Sequence, residues 1–199
     1  MSTVANKVIE RSVEAIAGLN DLVESAEFKE AVGLLSEGMV WTTGMGKAAL
    51  AAKKLSVTLC SNGVSSSYIH AGEALHGDFG AIRKGDVVVA FSNSGKTLEV
   101  VQVAEKAANI DAHMVLITGQ DESPLANTSG VTLCYGDVEE SCPLGLTPTA
   151  SVIAMFVLAD ALAMEVQAKI GLTSDQYAQN HHAGYLGQVA RQRAKNPNI

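Results

Sequence analysis

The chain has 199 residues, of which 47% are hydrophobic and 18% charged, the balance of a globular protein with length for one buried core. Its 14 Lys+Arg against 21 Asp+Glu give a formal charge of −7, which argues against nucleic acid as a partner because that needs a concentrated basic surface. Cys60, Cys134 and Cys142 are an odd number at unrelated spacings, neither a zinc pattern nor a disulfide framework, and they read as free thiols in a reducing compartment.

The N-terminus, MSTVANKVIERSVEAIAGL, has no continuous apolar core and no cleavage site, so it does not read as a signal peptide. Instead Val4, Val8, Ile9, Val13, Ile16, Leu19 and Val23 recur at close to helical spacing, and a second apolar pattern runs from Phe28 to Leu35. Short apolar runs then alternate with helical stretches. MVWTT (Met39 to Thr43) predicts a strand and Lys47 to Cys60 a helix, with Gly63 where a helix stop belongs. VSSSYI (Val64 to Ile69) predicts a second strand and DVVVAFS (Asp86 to Ser92) a third, followed by a helix over Leu98 to Ala108. HMVLIT (His113 to Thr118) is the fourth; Ser123-Pro124 then reads as the cap and first position of a helix. VTLCY (Val131 to Tyr135) is the fifth, and Thr147-Pro148 repeats the cap-plus-proline signal before a long helix ending near Gly171. That helix contains SVIAMFVLADALAMEV, which Asp160 interrupts and which is short for a bilayer. Being apolar almost all round, it belongs in the core or in a subunit interface, and the latter implies an oligomer. The densest basic stretch, RQRAK near the C-terminus, reads as a solvated tail. A cytoplasmic protein, bound to neither membrane nor nucleic acid, is expected.

Continuous Val/Ile/Leu strands alternating with helices predict a five-stranded parallel sheet covered on both faces, a three-layer αβα sandwich of flavodoxin-like type. One domain is expected, with a helical N-terminal segment over about 1–37, a core over about 38–171 and a tail over about 172–199. In such a sheet every strand's carboxyl end lies on one edge, and ligands bind there. The segments that follow the strands therefore constitute a site search. They are TGMGKAA, HAGEALHGD, SNSGKT, GQDES and GDVEESCPLG, which put Lys47, His70, His76, Ser92, Ser94, Thr97, Glu139 and Glu140 on one rim.

SNSGKT supplies hydroxyls and a glycine where a helix begins, and free backbone N–H groups with the helix dipole favour an anion there. Ser92, Asn93, Ser94 and Thr97 are thus candidate phosphate contacts, against ordinary turn-and-cap duty. A nucleotide P-loop would need a glycine where Ala90 stands. GMGKAA imitates a dinucleotide fingerprint, but the second strand ends SYIH without the acidic residue. Gly46 still permits close backbone approach to a small ligand. Lys47 opens the helix facing the same crevice, or is simply solvated. Glu99 lies in the first turn after the serine loop, where it complements the dipole. Carboxylates, imidazoles and a lysine around a phosphate anchor are what proton abstraction beside a carbonyl requires.

GMGK, HAGEALHGDFG, SNSGKTLE, ITGQDESPLA, EESCPLGLTPT and DALA together resemble the sugar isomerase (SIS) domain of D-arabinose 5-phosphate isomerases, from about Val40 to Gly187. The resemblance implies interconversion of D-ribulose 5-phosphate and D-arabinose 5-phosphate, the latter feeding Kdo synthesis for lipopolysaccharide or capsule. It implies catalytic roles for Lys47, Glu99, Glu140 and His181, a substrate contact at His76, and His70 at a position where the family can bind zinc. It also implies a homotetramer with sites shared between subunits, and no required cofactor. There are departures. HHAG replaces the usual HPGG, so His181 is assigned with His182 beside it, and Lys96 stands where a glutamate is common. The chain ends at Ile199 without the CBS domains of full-length enzymes, which predicts a stand-alone form.

The expected mechanism anchors the phosphate on Ser92, Ser94 and Thr97 while a base, Glu140 or His181, takes a proton to give a cis-enediol(ate). Glu99 shuttles or orients, and Lys47 stabilises oxyanion charge. The alternatives are an isomerase of a hexulose or heptose phosphate, or a sugar-phosphate-binding module that catalyses nothing.

Overall fold

A computed structural model describes residues 3–196. Its strands β1 (Val40–Gly44), β2 (Ser66–Tyr68), β3 (Val87–Phe91), β4 (His113–Thr118) and β5 (Val131–Cys134) form a five-stranded sheet in the order β2-β1-β3-β4-β5, all pairs parallel. Alternate residues of each strand enter different cores, as a pleat dictates. Val87, Val89, Phe91, Val115 and Ile117 face one layer, and Val88, Ala90, Met114 and Leu116 face the other. Residues buried on both sides explain why β3 and β4 read as unbroken apolar runs.

The helices are α1 (Val4–Ala17), α2 (Asn20–Val23), α3 (Ala26–Leu35), α4 (Ala48–Ser61), α5 (Ala71–Ala74), α6 (Leu98–Asn109), α7 (Pro124–Thr128), α8 (Ala150–Ile170), α9 (Ser174–Asn180) and α10 (Gly184–Lys195). The first core gathers residues of α3, α4 and α8 on one face of the sheet, and the second those of α5, α6 and α7 on the other. This is the αβα sandwich the sequence predicts. α1 lies outside, against α8, with no buried residue; Val4, Ile9 and Val13 are 53%, 65% and 61% exposed.

Two local expectations are corrected. β2 is three residues long because it is an edge strand, paired only along Val40 to Thr42. α8 starts at Ala150, so Pro148 is not its first residue and Thr147 is not its cap. Thr149 takes the cap position, but its backbone N–H is held by Glu140 from nine residues upstream. A partner so far back carries no local signature. At the other end, Gly171 closes α8 in the left-handed conformation (φ 66°), as expected. α8 has 21 residues and is long and apolar enough to cross a bilayer; one face, from Ala150 through Leu158 to Val166, is instead packed inside the fold.

Candidate active site

Strand order reverses between β1 and β3, which are paired so that Gly44 lies opposite Phe91. The loops carrying Lys47 and Ser92–Thr97 therefore leave neighbouring strands at the same level, where a doubly wound sheet opens a crevice. The serine loop folds tightly. Gly95 has φ 62°, and a Cβ added there would stand 2.0 Å from Oγ of Ser123, so only glycine fits. Its carbonyl accepts from the N–H of Leu125, stitching the loop to α7. Ser92 and Thr97 bring their hydroxyls within 3.0 Å of each other, and Ser94 accepts from the Lys96 N–H at 3.2 Å. Thr97 occupies the N-cap of α6 without capping it through its side chain. That leaves the first turn of a 12-residue helix without a side-chain cap.

On the β1 side, Gly44 packs where a Cβ would meet the Phe91 carbonyl at 3.0 Å and the Ala49 N–H nitrogen at 3.2 Å. This close packing seats α4 against the sheet, and exposed Lys47 stands at its N-cap. Gly46 adopts φ 57° in the same turn. Glu99 is half-buried in the first turn of α6. His70 and His76 are exposed on either side of α5. Among the described residues no group of three or more His, Cys, Asp and Glu could hold a metal ion. A zinc at His70 therefore has no support among the described residues of one chain.

The β5–α8 loop is built around Glu140. Thr149 donates its N–H (2.5 Å) and hydroxyl (2.6 Å) to Oε2, and Ser151 donates its hydroxyl to Oε1. Burial pushes this carboxyl up, but hydrogen bonds from the side chains and backbone of Ser151 and Thr149 outweigh it and hold the group below the usual carboxylate range. Glu140 is thus an ionised anchor at the N-terminus of α8. Glu139 points elsewhere and pairs with Arg11 of α1 at 2.5 Å. The hydroxyl of Ser141 donates to the Lys7 carbonyl at 3.2 Å, so α1 braces this loop from outside. Cys142, in the same loop, is drawn down to about 6 by hydrogen bonds from the side chain and backbone of Thr147 and the backbone of Leu146 and Leu144.

His181 is not on this rim. It caps α9, whose Asn180 donates to the Ser61 carbonyl at the far end of α4. Lys47 begins that 14-residue helix, so the two lie about 21 Å apart along its axis, on opposite edges of the sheet. The imidazole is nonetheless well ordered by its neighbours. It stacks on Tyr177 with centroids 4.0 Å apart, and Nδ1 lies 3.0 Å from the Tyr177 carbonyl. A carbonyl can only accept, so Nδ1 carries a proton in this contact, and in the neutral ring the lone pair is on Nε2. Gln167, Leu172 and Tyr177 help line a cleft of about 300 Å³ on this edge, away from the lysine and serine loops.

The signature of the SIS domain matches residues 33–165, two thirds of the chain. The chain belongs to the SIS domain family. It is 40% identical over 169 residues to the arabinose 5-phosphate isomerase KdsD of Pseudomonas aeruginosa, covering 85% of this chain and 51% of that one. Against the Escherichia coli K12 enzyme of the same name it is 39% identical over 152 residues, 76% of this chain and 46% of that one. This SIS chain thus spans about half the length of the curated relatives it matches. Solved structures extend the likeness. A Bacteroides fragilis protein ascribed to phosphosugar isomerisation in capsule formation superposes with a TM-score of 0.84 at 35% identity, covering 91% of this chain and 97% of its own. The E. coli CFT073 protein c3406, in complex with A5P, superposes with 0.81 at 28% identity, covering 89% and 95%.

Within this SIS domain, sequence reasoning missed the donors of Glu140, Thr149 and Ser151, and missed Tyr135. Tyr135 donates its hydroxyl to Oδ1 of Asn93 at 2.6 Å, tying the β5 loop to the serine loop across 42 residues of chain. No local pattern announces such a pair. The serine at 151 stood only in an apolar helix, where its hydroxyl reads as tolerated rather than used.

Proposed function

We propose that the chain is an aldose–ketose isomerase interconverting D-ribulose 5-phosphate and D-arabinose 5-phosphate, a product that serves Kdo synthesis for lipopolysaccharide or capsule. The observation that supports the reading is the Gly44–Phe91 register, which starts the loops carrying Lys47 and Ser92–Thr97 at one level where strand order reverses. The substrate class is supported by 40% identity to an arabinose 5-phosphate isomerase. The phosphate seats on Ser92, Ser94, Thr97 and the first turn of α6. A base removes the proton from C1 of ribulose 5-phosphate, the electrons move to the C2 carbonyl, and a cis-enediol(ate) forms. The proton on O1 passes to O2, and protonation at C2 as the C1 carbonyl forms then gives the aldose. Lys47 neutralises the developing oxyanion, an effect of about 3 kcal/mol for one well-placed donor. Proton transfer carries the whole reaction, so these residues suffice without an organic cofactor.

The donors around Glu140 make it a poor proton acceptor, because a proton must displace one of them. His181 is the better base: its Nε2 is free of the Tyr177 contact and its ring is held in one tautomer. It reaches the rim only from a second copy. Exposed Leu144 and Leu146 (both 77%) beside the rim, and Tyr185 (77%) and Leu186 (57%) beside His181, are apolar surfaces for that contact. A homotetramer in the cytoplasm completes the reading.

Purified protein mixed with ribulose 5-phosphate is expected to form arabinose 5-phosphate. Lys47→Ala is expected to cut kcat at least about 100-fold. No product from the unaltered chain overturns the proposal.

A further inference from the structure

We propose that Tyr135 is a positioning residue which fixes the Asn93 carboxamide with its NH₂ group turned toward the ligand's phosphate. The proposal deepens the reading of the Ser92–Thr97 loop as an anion cradle, and rests on that part of it.

Asn93 leaves β3 between Ser92 and Ser94, and its backbone is fixed from the β4 side. Its carbonyl accepts from the Gly119 N–H at 3.1 Å and from the Thr118 hydroxyl at 3.3 Å. Its side-chain oxygen lies on that same side, because a Cβ added at Gly119 would stand 2.7 Å from Oδ1. Glycine at 119 therefore makes room for the oxygen. Tyr135 supplies the hydrogen bond that holds it there, at 2.6 Å.

The choice between the two carboxamide orientations is chemical. Burial, then the charges of Glu140 and Cys134, push the Tyr135 phenol above its ordinary range, so it stays a protonated donor. A phenol that donates selects the amide oxygen. The oxygen is thereby occupied on the β4–β5 side, which leaves the two N–H bonds of exposed Asn93, in the loop that also carries Ser92, Ser94 and Thr97, for a ligand. Without the tyrosine hydroxyl the amide is free to turn. Half of its orientations then present an oxygen to an anion, which repels it. Tyr135 packs its ring against the core beneath β5, so Phe keeps the packing and removes only the hydroxyl.

The test is a double-mutant cycle on the full chain. Tyr135→Phe is expected to raise KM for ribulose 5-phosphate about fivefold, with the smaller part of the effect in kcat, because a phosphate contact binds ground state and transition state alike. Asn93→Ala is expected to raise KM by at least as much, and the double variant no further than Asn93→Ala alone. KM effects that multiply, or a Tyr135→Phe variant that melts earlier with KM unchanged, would overturn the proposal. A second readout does not depend on turnover. Titrating ¹⁵N-labelled protein with inorganic phosphate is expected to shift the Asn93 side-chain NH₂ resonances, and Tyr135→Phe to shrink that shift. If phosphate leaves those resonances in place in the unaltered chain, the proposal fails even for an active isomerase. If they shift in a chain that makes no arabinose 5-phosphate, the isomerase reading falls and this one stands.

Discussion

Glu140 was singled out as an acid on a rim, and the structure makes it the knot of its loop. Donors from Thr149 and Ser151 stabilise its charged form, so its pKa is lower in the folded chain than the ordinary 4.5. The sign follows. This group's contribution to stability is complete above 4.5 and is lost as pH falls through the lower folded value. Glu140→Gln is expected to cost about 1 kcal/mol at neutral pH, discounted for the solvent that reaches the site, and to flatten the acid limb of stability. Urea unfolding at a series of pH values from neutral down to about 3 checks both. An acid limb equally steep in the variant would count against the knot. The choice of Glu140 was legible because acids after a strand end attract notice; its donors were not, because Ser151 and Thr149 look like ordinary helix-start residues.

Among elements, legibility followed burial. β4 was read at its true limits, His113 to Thr118, because its interior is buried on both faces and nothing but a strand suits such a run. β2 was read too long, since an edge strand stops where its single neighbour stops. The Thr147-Pro148 signal failed at α8 because a tertiary partner took over the cap, whereas Ser123 did cap α7, accepting from the Ala126 N–H at 3.2 Å. That same Ser123 makes the serine loop fragile at Gly95. Gly95→Ala would strain φ and drive Cβ into the Ser123 side chain, undoing the α7 cap as well. A loss of about 2–4 kcal/mol is expected, read as a fall in the urea midpoint at unchanged slope. A midpoint within error of the parent would show that the loop relaxes freely.

At the scale of the whole molecule, the parallel-sheet rule gathered Lys47 and the serine loop from the sequence alone, since topology fixes which ends share an edge. It could not place His181, which came from the family resemblance and lies on the opposite edge within one chain. A contact made only with a second copy would leave no spacing in a linear text. Co-expressed Lys47→Ala and His181→Ala chains, each inactive alone, are expected to recover up to about a quarter of the parent rate, because half the random pairs are mixed and one of their two shared sites is intact. Recovery no greater than background would remove His181 from the partner's site. The most direct measurement of the chemistry itself is isomerisation of ribulose 5-phosphate in deuterated water, followed by NMR of the product. Arabinose 5-phosphate carrying solvent deuterium at C2 is expected, because a solvent-accessible base exchanges the proton taken from C1 with water before one is delivered to C2. Product whose C2 hydrogen comes wholly from C1 of the substrate, as a direct hydride shift gives, or no product, would contradict this chemistry.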